Sequence, residues 1–125
     1  VYSFANMLAD AGDFGVYIGV DAGKVERAQA LVQRELDKLA TRPVSDRMLN
    51  RAKTQLKGSM MLGLESMSNR MMRMGKIELA FERYFTLDDV IEQLDAVTAE
   101  EVRDVAAALF PSERMSSIAL VPAVD

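Results

Sequence analysis

The stretch from Ser45 to Phe81 constrains this chain most, because only helix accounts for its pattern. Counting from Leu49 at a period near 3.6 gives Leu49, Ala52, Leu56, Met60, Gly63, Met67, Met71, Met74, Ile77 and Phe81, nearly all apolar or small. The other side carries Arg47, Arg51, Lys53, Lys57, Arg70, Arg73 and Lys76, and should be solvated or paired. Ser45 is a good N-cap, Asp46 suits the positive end of the helix dipole, and Pro43 lies just outside. Gly58 and Gly63 each cost about 1 kcal/mol against alanine in a helix interior. Ser66 or Ser68 can cap a new helix, so the spacing predicts two helices with a break near Glu65.

Upstream, Val1 to Leu8 is rich in β-formers, and Ala9 to Asp13 reads as a turn. From Asp13 to Val20, Phe14, Val16, Ile18 and Val20 alternate with Gly15, Tyr17 and Gly19. That period of two marks a strand with one core face, and the glycines imply a close neighbour over the other. The two strands form an antiparallel hairpin. Asp21 can cap a helix to about Ala40, with Val25, Ala28, Val32, Leu36 and Leu39 as its stripe. Thr86 with Asp89, and Thr98 with Glu101, have the spacing of two capping boxes; the second helix should stop at Pro111. Met115 to Pro122 reads as a closing strand. The expected fold is therefore α+β. About three strands, including an antiparallel pair, would carry four to five helices on one face, in the order strand, strand, helices, strand.

Chemistry is scarce. The chain has no histidine and no cysteine, which removes the commonest metal ligand, the commonest general base, every thiolate and any disulfide. A formal charge of −4 argues against a dedicated nucleic-acid binder. No apolar run is long enough to span a membrane. Asp88, Asp89 and Glu92 are better read as first-turn acids than as a cation cage, and Asp10, Asp13 and Asp21 as turn and cap residues. Six methionines fall between Met60 and Met74; we take them as core, the alternative being a stand-alone helical interaction module with an adaptable peptide groove. Glu65 and Arg70 flank the proposed break, where an ion pair could tie the helices together. No catalytic and no metal residue is assigned. The chain opens on Val1 rather than Met, and we expect 1–125 to be a single partial domain of a longer protein.

Several segments together resemble the zinc metallopeptidases related to mitochondrial processing peptidase, insulysin and pitrilysin. They are Val1-Tyr-Ser, Asp10-Ala-Gly-Asp-Phe14-Gly-Val-Tyr-Ile-Gly19, the run Leu49 to Ser66, Arg70-Met-Met-Arg-Met-Gly75, Asp89 to Thr98, and Glu101-Val. The nearest likeness is to bacterial homologues of processing peptidase. The resemblance implies the later half of the C-terminal, catalytically inactive domain. It places the zinc motif, with its histidines, in the first domain of the parent chain. The family's Arg/Tyr substrate clamp then lies upstream of Val1, and Glu65 and Arg70 fall at structural positions. It further implies a wall of a peptide-substrate chamber that meets the upstream domain or a partner subunit in a homo- or heterodimer. A soluble protein of the bacterial cytoplasm or periplasm is expected, without nucleic acid or membrane.

Overall fold

A computed structural model of the chain describes residues 1–8 and 10–122. Two compact units emerge: Val1–Pro43 with the chain from Val102 onward, and Val44–Glu101. The architecture is α+β, with five α-helices and a two-stranded antiparallel sheet.

In the first unit, β1 (Tyr2–Met7) pairs with β2 (Gly12–Tyr17) from Tyr2↔Tyr17 to Met7↔Gly12. The expected turn includes Ala9, outside the described residues; beside it Leu8 N–H donates to Ala11 O at 2.8 Å. The register sorts the hairpin into two faces. On one, Tyr2 stacks on Tyr17 with ring centroids 5.1 Å apart, Phe4 opposes Gly15, and Asn6 Nδ2 donates to the Asp13 carboxylate at 3.1 Å. A Cβ on Gly15 would stand 2.2 Å from the tip of the Phe4 ring, so Phe4 is the expected close neighbour there, whereas Gly19 has nothing within 4 Å and the expectation fails at that position. The other face carries Phe14, whose ring meets that of Phe110 at 5.1 Å. Ile18 and Val20, expected in the strand, lie beyond the ladder, which ends at the Tyr2–Tyr17 pair.

A 3₁₀ turn (Ala22–Lys24) leads into α1 (Val25–Thr41). Asp21 occupies the cap position of the turn, but its side chain caps nothing; it pairs with Lys24 Nζ at 2.6 Å instead. The expected stripe of α1 is its covered side: Ala28 and Leu36 are buried, and Val25, Val32 and Leu39 half-buried. Arg42 is extended (φ −146°, ψ 143°), the conformation forced on a residue before proline, and α1 ends there.

The closing strand is a correction. Residues 115–122 follow a 3₁₀ turn (Ser112–Arg114) and form no strand among the described residues. Met115 is extended (φ −95°, ψ 135°), but Ile118 and Leu120 are 93% and 98% exposed. β-propensity reports fit to a half-buried pleated surface, and the described sheet contains only β1 and β2. Gln29 Nε2 donates to Ser117 Oγ at 3.3 Å, and Met115 N–H to Ser112 O at 3.2 Å.

The second unit holds α2 (Asp46–Gly63), α3 (Met67–Phe81), α4 (Leu87–Ala96) and the start of α5 (Ala99–Leu109). Ser45 accepts from Met48 N–H, and Ser66 from Asn69 N–H, so both serines cap as expected. Asn69 Nδ2 also donates to Gly63 O at 3.0 Å, satisfying a carbonyl that the break orphans. α3 ends at Glu82, which takes the left-handed conformation at φ 52°. Thr86 and Asp89 form a complete capping box, as do Thr98 and Glu101. α5 stops before Pro111, as its sequence requires.

The methionine stripe is a second correction. Met60, Leu49 and Ile77 are half-buried, but Met67, Met71 and Met74 are 76%, 65% and 55% exposed. The described core is only Ala28, Leu36, Ala99 and Ala106. The chain exposes 10472 Å². The stripe is apolar as expected, but at Met67, Met71 and Met74 the described chain leaves it largely uncovered.

Candidate functional site

A hollow of the second unit lies at the elbow between α2 and α3. Met61 and Leu64 come from the end of α2, Glu65 from the break, Arg70, Arg73 and Met74 from α3, and Tyr84 and Leu87 from beyond it. Its volume is about 330 Å³. Gly63 and the Ser66 cap create it, because ending one helix and starting another turns two side-chain rows toward a common point. Arg73 fixes the rim: both terminal nitrogens of its guanidinium donate to Phe85 O at 3.4 Å. Phe85 is held in turn by the edge of Phe81, 5.5 Å between centroids, and by the Arg83 guanidinium 4.1 Å above its ring.

Glu65 and Arg70 therefore line one hollow, as their place beside the break suggests. They do not form the expected ion pair: both are exposed, and neither side chain has a salt-bridge partner among the described residues. Two solvated charges gain little from holding each other against side-chain entropy.

A second constellation went unread in the sequence. Lys53 and Lys57 sit on the side of α2 expected to be solvated or paired, and both pair with α4 or the residue that ends it. Lys53 Nζ donates to Asp95 O at 2.7 Å and Val97 O at 2.5 Å, and Lys57 Nζ pairs with the Asp95 carboxylate at 2.6 Å. α4 has Asp88 and Asp89 in its first turn but no basic residue in its last. Lys53 supplies from α2 the cation that the negative end of α4 lacks. The signal lay in that missing last-turn base.

Two carboxylates are shifted. Asp89 is held below its ordinary 3.8 by hydrogen bonds from the Thr86 side chain and then its backbone N–H, with a smaller pull from Arg83. Glu35 is held below 4.5, chiefly by the hydrogen bond from Lys38. Both shifts belong to helix ends and faces, not to a poised acid or base.

The donor set does not fit zinc. The chain has no histidine or cysteine, and no group of three His, Cys, Asp or Glu side chains converges among the described residues. No described helix is long and apolar enough to cross a membrane.

Residues 1–56 match the family described as "Peptidase M16 inactive domain". Over 113 residues the chain is 35% identical to YmxG, an "uncharacterized zinc protease" of Bacillus subtilis, covering 90% of this chain and 28% of that protein. A zinc protease of Streptomyces coelicolor is 39% identical over 106 residues, 85% of this chain and 23% of its own length. The beta subunit of mitochondrial-processing peptidase from Saccharomyces cerevisiae is 27% identical over 121 residues, 94% and 26%. The chain thus spans about a quarter of the length of these relatives.

Proposed function

Since this chain belongs to the M16 peptidases, within the part described as their inactive domain, we propose that it is a non-catalytic building segment of a larger zinc-protease-like protein. It supplies part of the wall around a peptide-substrate chamber and a face that docks the rest of the protein or a partner subunit. The supporting observation is the surface left uncovered: half the residues are apolar, yet four alanine or leucine side chains make up the described core. Burying apolar area is worth about 25 cal/mol per Å², so such a surface strongly favours a partner. Zinc and the hydrolytic machinery belong, in this reading, to the protein's other domain. The order of the notable positions suits it too, since Glu65 and Arg70 shape an elbow rather than a reaction centre.

A second reading, a stand-alone module gripping peptides in its methionine hollow, draws on the exposure of Met67, Met71 and Met74. The family membership weighs toward the first. The test is calorimetric titration of the chain with zinc, alongside a peptide-hydrolysis assay. The expected result is neither stoichiometric binding nor cleavage. A one-to-one zinc complex, or cleavage that EDTA abolishes, refutes the proposal.

A further inference from the structure

Two side chains of opposite charge, Glu65 and Arg70, border the elbow hollow, and neither has a hydrogen bond or ion pair among the described residues. The backbone beneath each is fixed: Glu65 N–H donates to Leu62 O at 3.2 Å and Arg70 N–H to Ser66 O at 3.0 Å. Arg73, the other cation of the rim, is already committed to Phe85 O. Half-buried Leu64 and Leu87 give the hollow an apolar floor, and Met61 and Met74 extend it. Small-molecule sites are concave, mostly apolar and carry a few convergent polar groups. At about 330 Å³ this hollow lies at the small end of their usual range of roughly 300–1,000 Å³.

We propose that the elbow hollow binds a free α-amino acid with an apolar side chain of about leucine's size. The ligand's ammonium donates to the Glu65 carboxylate, its α-carboxylate accepts from the Arg70 guanidinium, and its side chain lies on Leu64 and Leu87. Hydrogen bonds between ionised groups are the strong ones, and a zwitterion answers both unpaired charges without bringing in a net charge. A fatty or aromatic acid would leave Glu65 unanswered, an amine would leave Arg70 unanswered, and a nucleotide would set phosphate against Glu65. The inference rests on the chamber-wall reading in one respect: the elbow opens toward the chamber, where peptide-derived ligands pass, and not onto the docked face. It gives that wall a ligand of its own.

The experiment titrates the isotope-labelled chain with L-leucine and follows its amide resonances by NMR. Saturable shifts should appear at Leu64, Glu65, Arg70 and Leu87. Serine, a zwitterion without the apolar side chain, should bind about tenfold more weakly. Glu65→Gln and Arg70→Gln should each weaken leucine binding by about three- to fivefold, as expected for exposed charges. N-acetylleucine lacks the ammonium and should be indifferent to Glu65→Gln; leucinamide lacks the carboxylate and should be indifferent to Arg70→Gln. Shifts that do not saturate or that fall outside the elbow overturn the assignment. So does serine binding as tightly as leucine, or N-acetylleucine losing as much as leucine on Glu65→Gln. Each of these results leaves the chain a non-catalytic segment. A stoichiometric zinc complex, or cleavage that EDTA abolishes, would instead remove that reading and leave the leucine titration as it stands.

Discussion

Replacing Lys53 with methionine keeps the stem of the side chain and deletes only its ammonium. Lys53 Nζ satisfies two carbonyls at the end of α4, Asp95 O at 2.7 Å and Val97 O at 2.5 Å. Hydrogen bonds to a charged group are worth about 1.5–3 kcal/mol each. The helix-end charge adds roughly 0.3–1 kcal/mol. Lys53 is only half-buried, so water can reach part of what the substitution exposes, and the lower end applies. We expect Lys53→Met to cost about 2 kcal/mol. Lys57→Met removes a pair whose aspartate is 53% exposed and should cost under about 1 kcal/mol. Urea unfolding followed by helical circular dichroism measures both. With a slope of roughly 1–2 kcal/mol per molar, the Lys53 change lowers the midpoint by about 1–2 M. Amide exchange should quicken first in α4. An unchanged midpoint for Lys53→Met, or a larger effect at Lys57, would refute the claim that α2 caps α4 through Lys53.

Three further outcomes follow from local geometry. The Phe4 ring over Gly15 should move the Gly15 α-proton resonances upfield, and Phe4→Leu should abolish that shift in a proton NMR spectrum. Thr86→Ala should destabilise α4 by about 1 kcal/mol, seen as a lower urea midpoint. Asp89 has a carboxyl pKa depressed in the folded state, so its stabilising effect is complete above its unfolded value. It is lost as pH falls through the lower folded value, so an acid titration should show Thr86→Ala losing only the part of its cost that comes from the Asp89 carboxylate, the cap on Asp89 N–H being independent of pH. Glu65→Gln and Arg70→Gln should each change the stability of the chain by less than about 0.5 kcal/mol, since neither charge is paired.

Local grammar was the legible part of the sequence. Ser45, Ser66, Thr86 and Thr98 mark helix starts because each satisfies amides within its own first turn, and Gly63 with Ser66 placed the break correctly. The α1 stripe was legible for the same reason: one helix and one period suffice. Statements about distant partners fared worse. Ile118 and Leu120 look like strand residues, but a strand exists only where another edge meets it. Lys53 and Lys57 were expected to be solvated or paired, and they are paired, but a charge on a helical wheel does not show which carbonyl waits opposite. Met67, Met71 and Met74 were correctly seen as one apolar face; which surface covers such a face is not a property of the face.

The reversal at Glu82 has its own consequence. A residue with a Cβ occupies φ 52°, a region that glycine and asparagine enter far more readily. The path out of α3 is thus held under torsion by its neighbours, with Arg73 gripping Phe85 three residues on. Asparagine at position 82 would relax that bend, making the segment between α3 and α4 sturdier than the natural chain leaves it.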